Sequence, residues 1–249
     1  MCYSPNSSIL RIMIKPLLKE ESERQLSQIK SRKRVQDHGE VFTAEREVKA
    51  MCDLVKDETE RIDSRFLEPA CGDGNFLAEI LKRKLAVVEK LYSKSISDWE
   101  KFSIQALTSL YGIDILQDNA RICRERLFNI WLNEYQRLFD KKINLTEQDE
   151  IKKAATFILN RNILCGNALS LKEVDETQND TDHPIIFSEW SFVSSNIKRR
   201  DFTFRELVNQ EYMKDEGSLF SDLGDEAEIF SPIKEYPLIN FRRVYEQSE

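Results

Sequence analysis

The chain is poor in the residues that interrupt regular structure. Its 249 residues include only 7 glycines and 6 prolines, so we expect most of the chain to lie in helices and strands. Hydrophobic residues make up 41% and charged residues 33%, a composition typical of soluble globular proteins. The apolar stretch at 9–18 contains Arg11 and Lys15, so it is too short and too charged for a membrane span or a signal peptide.

Metal ligands and positive charge are also scarce. The five cysteines never occur at CxxC spacing and only two histidines accompany them, which argues against a metal site and favours free thiols in a reducing cytoplasm. The net charge of -7 opposes a protein that grips DNA over its whole face. Local basic patches at 30–34 and 198–200, or a partner protein, could still contact phosphates. We interpret 198–200 as a solvated turn.

The hydrophobic pattern alternates between the spacing of helices and that of strands. This order predicts parallel strands joined by right-handed crossovers, whereas 140–153 is predicted to be only a charged connection. The predicted elements are a helix over 45–57 capped by Thr43, a strand over 65–68, a helix from Asn75 to Tyr92, a strand over 110–115, a helix capped by Asp118, and strands near 162–165 and 185–187.

These elements predict an α/β protein in which helices flank a mostly parallel sheet. We expect a helical, basic extension over residues 1–36 and the main domain over 37–205. Residues 206–228 are densely acidic and predict an exposed linker, and the aromatic segment at 229–245 could dock back or bind a partner. The predicted tail over 206–249 is otherwise irregular.

A glycine-rich loop joins the first predicted strand to the long helix. Gly72 and Gly74 can adopt positive φ angles and let a ligand approach the backbone, while the helix N-terminus offers free N–H groups. Leu77 stands where a dinucleotide fingerprint has its third glycine. Asp114, the next acid at a strand end, lies 40 residues beyond Gly74 instead of about 20, so NAD fits poorly. Asp114 could accept hydrogen bonds from ribose hydroxyls, and Ile115 could pack on an adenine ring.

Four segments, taken in order, resemble the cofactor motifs of adenine-N6 DNA methyltransferases from restriction-modification systems. They are His-Gly-Glu-Val-Phe-Thr at 38–43, Phe-Leu-Glu-Pro-Ala-Cys-Gly-Asp-Gly-Asn-Phe-Leu at 66–77, Tyr-Gly-Ile-Asp-Ile at 111–115 and Gly-Asn-Ala-Leu at 166–169. The resemblance implies a Rossmann-like class I methyltransferase fold and S-adenosylmethionine as the cofactor. It implies cofactor contacts from Phe42, Thr43, Glu68, Ala70, Gly72, Gly74, Asp114, Ile115 and Asn167.

Several of these residues have a simpler alternative role. Phe42 and Thr43 could staple and cap the following helix, and Asp114 could cap the end of its strand. Asn167 departs from the family, which has Asp there, and it could serve only as a turn residue. Ala44 stands where the family has Pro, a change that affects backbone rigidity and removes no functional group.

The family's catalytic element, Asn/Asp-Pro-Pro-Tyr/Phe, is absent from the chain. In the family, its polar groups accept protons from the adenine amine and its aromatic ring stacks on the flipped base. The expected position holds Ile-Ile-Phe-Ser-Glu-Trp-Ser-Phe at 185–192. There Glu189 could accept a hydrogen bond and Trp190 or Phe192 could stack, but the alternative is that these aromatics pack in the core. No catalytic residue is therefore predicted.

The sequence leaves three functions open. The first is an S-adenosylmethionine-dependent adenine-N6 DNA methyltransferase, or its subunit, which acts on DNA in the cytoplasm, alone or with a protein from the same defence locus. The second is a catalytically deficient cofactor-binding scaffold or sensor that partners a DNA-modifying or DNA-cleaving protein. The third is a methyltransferase for a protein or small molecule. No membrane association and no DNA target sequence is predicted, since no groove-reading element is recognisable.

Overall fold

The computed structural model describes residues 43–139, 149–207 and 231–247, and the chain divides into two units after Ala44. All elements described here belong to the second unit. Three predictions fall outside the described residues: the basic extension at 1–36, the position of Phe42, and nearly all of the acidic linker at 206–228.

Six helices have both ends within the described part of this unit, and residues 204–207 are also helical. The predicted helices beginning at 45 and at Asn75 are confirmed, whereas the predicted cap Asp118 is the second residue of its helix, which begins at Gln117. The prediction of a plain connection up to residue 153 is wrong, because a helix begins at Glu150. The helices are α1 (Glu45–Leu54), α2 (Lys56–Thr59), α3 (Asn75–Tyr92), α4 (Ile96–Thr108), α5 (Gln117–Phe139) and α6 (Glu150–Asn162).

Helices α4 and α6 had no counterpart among the sequence predictions. In α4 the Ser95 side chain accepts a hydrogen bond from the Asp98 amide at 3.2 Å and so caps the first turn. In α6 the buried apolar side chains recur at helical spacing, but charged residues surround them, so the sequence of this stretch has a polar composition. These apolar side chains are Ile151, Ala154, Ala155, Ile158 and Leu159.

A three-stranded parallel sheet occupies the centre of the unit. It consists of β1 (Phe66–Glu68), β2 (Leu110–Asp114) and β3 (Ile163–Cys165), in the spatial order β1-β2-β3. This confirms the predicted parallel order. Glu68 aligns with Gly112, and Asp114 aligns with Cys165. The carboxyl ends of the three strands therefore meet at one edge of the sheet.

The remaining strands are antiparallel, so the mostly parallel sheet predicted for the whole domain is limited to three strands. The predicted strand at 185–187 is the start of β6, and a turn containing Ser194 with φ of 57° sends the chain straight back along it. These strands are β4 (Lys172–Val174) with β5 (Asp180–Pro184), β6 (Ile186–Val193) with β7 (Asn196–Thr203), and β8 (Lys234–Glu235) and β9 (Ile239–Asn240), which both pair with β7.

The end of the chain is more ordered than the irregular tail we predicted. Besides β8 and β9 it forms a 3-10 helix over Phe241–Gln247, which packs against α6. Phe241 and Val244 are buried there. Residues 231–247 therefore pair with β7 and pack against α6.

The two faces of the parallel sheet meet different layers. A Cβ on Gly112 would lie 3.0 Å from Leu77 of α3, whereas the neighbouring Tyr111 packs edge-to-face on Phe187 of β6. The Tyr111 hydroxyl also donates to the Ser188 carbonyl at 3.0 Å. The sheet is thus sandwiched between α3 on one side and the β6–β7 hairpin on the other. Among the described residues, no helix has the length and apolar character of a membrane span.

Candidate cofactor site

The glycine-rich loop turns sharply between β1 and α3. Gly72 and Gly74 adopt φ angles of 53° and 85°, in the left-handed region that glycine tolerates best. The Cys71 amide donates to the Ile113 carbonyl at 2.9 Å, which extends the pairing with β2 beyond β1. The Gly74 amide then donates to the Cys71 carbonyl at 2.8 Å and closes the turn. The loop therefore crosses the carboxyl edge of the sheet before α3 begins.

The two glycines meet different requirements. A Cβ on Gly74 would lie only 2.6 Å from the sulfur of Cys123 on α5, so this glycine is required for close packing. A Cβ on Gly72 would have no heavy atom within 4 Å. Gly72 therefore exposes bare backbone to open space, as a ligand-binding loop requires.

Asp114 links the end of β2 to the loop. Its carboxylate is only 8% exposed and accepts from the Gly72 amide at 2.8 Å and from the Leu116 amide at 2.8 Å. The Asn119 side chain donates a third hydrogen bond at 3.2 Å. A carboxylate has about four acceptor positions, so one is left for a ligand. The expected binding of two ribose hydroxyls would require one of these three donors to give up its bond.

Glu68, Ala70 and Ile115 lie at the same edge of the sheet. Glu68 is half-buried, and burial raises the pKa of its carboxyl group. No hydrogen-bond donor for this carboxylate occurs among residues 43–139, 149–207 and 231–247. Ala70 and Ile115 are exposed directly beyond the ends of β1 and β2. The edge thus offers one unpaired acid beside small and apolar contact surfaces.

Two residues that the sequence analysis did not single out hold this edge in place. Asn119 orients Asp114, and Arg126 of α5 donates to Asn75 at 2.8 Å while forming an ion pair with Asp73 at 3.2 Å. Both lie on the helix that follows β2. A single Asn or Arg on a polar helix face carries no recognisable signal, because such residues are common on solvated helices.

Asn167 is used largely by its own turn. Its side-chain oxygen accepts from the amides of Leu169 at 3.0 Å and Ser170 at 3.4 Å, and its nitrogen donates to Asp180 at 2.9 Å. The preceding Gly166 donates its amide to the Asp114 carbonyl at 2.9 Å, so the turn lies close to the other predicted contacts. Thr43 immediately precedes Ala44 and the start of α1.

A polar cleft lies beside the loop. Its lining includes Asn75 of the loop-helix junction but neither Gly72 nor Asp114. The lining residues come from α1, α3 and α5: Glu45, Val48, Asn75, Ala78, Glu79, Lys82 and Arg126.

The segment at 185–192 does not present aromatic rings to a substrate. Phe187 and Trp190 are buried, and the Trp190 indole donates to the Asn162 side chain at 2.9 Å. Phe192 is partly buried against the same core. The packing alternative is therefore confirmed for these rings. Glu189 is held by ion pairs with Arg65 and Arg200, each at 2.7 Å.

The basic residues at 198–200 lie in strand β7, so the predicted solvated turn is wrong. Arg199 is only 1% exposed and forms a 2.6 Å ion pair with Asp201. Arg200 pairs with Glu189, and Lys198 pairs with Glu235 at 2.6 Å. Each cation has an acidic partner: Lys198 and Arg200 pair with residues of the adjacent strands β8 and β6, whereas Arg199 is buried on the opposite face of β7.

One known protein family matches the sequence of this part of the chain. The model of the MmeI DNA-methyltransferase domain matches residues 43–205, about two thirds of the chain. The match spans the glycine-rich loop, the parallel sheet and the β6–β7 hairpin. Searches of curated proteins and of solved structures found no significant match.

Proposed function

Because the chain belongs to the family of MmeI DNA-methyltransferase domains, a restriction-modification family, we propose that it is the S-adenosylmethionine-binding subunit of an adenine-N6 DNA methyltransferase. The observation that carries the proposal is the carboxyl edge of the parallel sheet. There an open glycine backbone, an unpaired acid and a buried acid converge from two adjacent strands.

The strand order supports a Rossmann-like class I fold. Three parallel strands are connected through helices, and ligands of such sheets bind beyond the carboxyl ends of the strands. The glycine-rich loop lies at that end, directly before the N-terminus of α3. A DNA substrate implies that the protein works in the cytoplasm.

The residues of this edge suit the chemistry of the proposed cofactor. S-adenosylmethionine, when bound, supplies a methyl group carried by a positively charged sulfonium. Gly72 allows close approach to the backbone, and the unpaired carboxylate of Glu68 suits a cationic group such as the cofactor's ammonium. Asp114 has one acceptor position left for a ribose hydroxyl, and the exposed Ile115 offers an apolar surface to the adenine.

A second candidate function is a cofactor-binding scaffold or sensor without catalytic activity. The observation in its favour is the state of the segment at 185–192, where the aromatic rings pack in the core and Glu189 is doubly ion-paired. Both candidates share the cofactor site. They differ only in whether methyl transfer follows when DNA and the protein from the same defence locus are present.

The cofactor site is tested by calorimetry with S-adenosylmethionine. We expect Asp114→Asn to weaken binding about 10- to 100-fold, because a hydrogen bond to a charged group is worth roughly 1.5–3 kcal/mol. The matched control is Glu125→Gln on α5, an exposed acid paired with Arg121, which should leave affinity unchanged. Equal affinities of wild type and Asp114→Asn would refute the site.

Catalysis is tested by transfer of a radiolabelled methyl group to DNA. The full chain is assayed alone and with the products of adjacent genes, and labelled DNA is digested to identify the modified base. Label on the N6 of adenine supports the methyltransferase subunit. Cofactor binding without transfer under either condition supports the scaffold.

A further inference from the structure

The parallel sheet stops at β1, and this strand has an open side. Among the described residues β1 pairs only with β2, and the Phe66 amide faces β2 by donating to the Ser109 carbonyl at 2.9 Å. Backbone groups alternate in direction along a strand, so the N–H and C=O of Leu67 point to the open side. The Leu67 side chain is 43% exposed. The N–H and C=O groups of Leu67 in β1 therefore pair with no strand among the described residues.

This open side lies where a doubly wound sheet would continue. Such sheets have the order 3-2-1-4-5-6, and their ligand crevice lies where the order reverses, between strands 1 and 4. The described sheet has the order β3-β2-β1 and ends at that point. Edge strands are often protected by charge, proline, a bulge or short length; β1 is short and is followed by Pro69, but its central residue, Leu67, is apolar. The crevice beside the glycine-rich loop therefore has one wall.

The β6–β7 hairpin does not take the missing place. β6 is antiparallel to β7 and meets the face of the parallel sheet, where the Tyr111 hydroxyl donates to the Ser188 carbonyl. The ion pair between Arg65 and Glu189 holds the hairpin beside the start of β1. No strand among residues 43–139, 149–207 and 231–247 occupies the open side of β1.

We propose that a second polypeptide docks on β1 and adds a parallel, apolar β-strand beside Leu67. This rests on the proposed function, since the added strand would supply the second wall of the cofactor crevice. The partner is also basic. The chain has a net charge of -7, and each cation of the cluster at 198–200 is already ion-paired, so a basic partner would complement the charge of this chain and strengthen its attraction to DNA.

A second copy of this chain does not meet these requirements. A two-fold axis that pairs β1 with its own copy makes the two strands antiparallel, which places the two glycine-rich loops at opposite ends of the joint sheet. Two chains of net charge -7 also repel one another. A parallel strand from a different, basic chain satisfies both the direction of the sheet and the charge.

The test is an NMR titration of the isotope-labelled full chain. The probe is the synthetic peptide Lys-Lys-Val-Ile-Val-Ile-Gly-Asn-Pro-Pro-Tyr, used up to millimolar concentration, with a scrambled peptide of the same composition as the control. We expect saturable amide shifts centred on Phe66, Leu67 and Glu68 with the probe and none with the scrambled peptide.

Substitutions of Leu67 separate strand pairing from general adhesion. Leu67→Pro removes the N–H that points to the open side, and Leu67→Lys adds a charge to the edge. Each substitution should weaken binding of the probe peptide at least tenfold. Leu67→Val keeps the amide and an apolar side chain and should bind within about threefold of wild type. Thermal unfolding checks that each variant folds. If Leu67→Pro does not fold, Leu67→Lys alone provides the test.

Three outcomes would overturn the docking proposal. They are no saturable shift at residues 66–68, equal binding of the scrambled peptide, or concentration-dependent dimerisation that protects the Leu67 amide. Calorimetry with S-adenosylmethionine on the same samples keeps the two proposals apart. Cofactor binding without strand binding contradicts only the docking site, and strand binding without cofactor binding contradicts only the proposed function.

Discussion

The glycine-rich loop and the β6–β7 hairpin contain the segments that the sequence analysis considered for cofactor binding and for catalysis, and they are built differently. At the loop, Gly72 faces open space and Glu68 has no hydrogen-bond donor among the described residues. In the hairpin, Trp190, Arg199 and Glu189 are all engaged by other protein groups. Groups left available suit a ligand, whereas groups satisfied internally suit packing. The proposal of a cofactor site therefore rests on the loop, and the hairpin adds no support for methyl transfer.

The hairpin should be the region most sensitive to loss of a charge. We expect Arg199→Ala to lower the free energy of unfolding by about 3–5 kcal/mol, because it leaves the buried Asp201 without its partner. Chemical denaturation followed by circular dichroism measures the loss. The control Lys198→Ala breaks an exposed pair with Glu235 and should cost less than about 1 kcal/mol. Similar losses for both variants would contradict the buried role of Arg199.

The two loop glycines should separate stability from binding. Gly74→Ala combines a left-handed backbone with a clash against Cys123 and should cost about 2–4 kcal/mol of unfolding free energy. Gly72→Ala has only the backbone cost, about 1–2 kcal/mol, but places a methyl group in the open space and should weaken S-adenosylmethionine binding. Thermal unfolding and calorimetry give the two quantities. If Gly72→Ala binds S-adenosylmethionine as tightly as wild type, the assignment of Gly72 to ligand binding and of Gly74 to packing is wrong.

Buried cations in the two regions should respond differently to pH. Lys84 of α3 donates to the carbonyls of Ile62 and Ser64 and to the Ser109 hydroxyl, and burial lowers its pKa to about 7. The unfolded chain keeps an ordinary lysine pKa, so it binds more protons than the folded chain between about pH 7 and 10. Stability should therefore rise with pH in this range, by up to about 1.4 kcal/mol per unit, and fall again as pH drops towards 7.

Lys84→Met provides the control for this pH dependence. Denaturation at pH 7, 8 and 9 should show a free energy of unfolding that rises with pH in the wild type and does not rise in Lys84→Met. Arg199→Ala leaves Lys84 and its surroundings in place, so this variant should keep the wild-type slope. A wild-type slope that persists in Lys84→Met would assign the effect to another group.

The smallest expected effect tests whether Trp190 is only a packing residue. Trp190→Phe loses the hydrogen bond to Asn162 and should cost about 1–2 kcal/mol of unfolding free energy. Cofactor affinity and DNA methylation by the complex should stay within twofold of wild type. A loss of methylation in a folded Trp190→Phe protein would show that the hairpin contributes to catalysis.

Elements with strong local signals were predicted well. The bounds of α3 were predicted to the residue, and β1 and β2 to within one residue at each end, because each couples a regular apolar pattern to a clear loop signal. The glycines of the loop were predicted because their conformational need is local. Helix α6 was missed since its apolar face is interrupted by lysines and arginine, and burial against β3, β6 and the 3-10 helix decides it.

The strand-loop-helix unit around Gly72 and the acid at the end of β2 follow from the sequence, because backbone conformation and residue spacing are local properties. Which polar and charged groups already have hydrogen-bond or ion-pair partners follows only from the tertiary structure. The Asp114 carboxylate accepts hydrogen bonds from Gly72, Leu116 and Asn119, and the residues of the basic cluster at 198–200 form ion pairs. Among the described residues, β1 is the last strand of the parallel sheet. Hydrogen-bond partners and strand neighbours come from distant parts of the chain, so no local pattern could specify them.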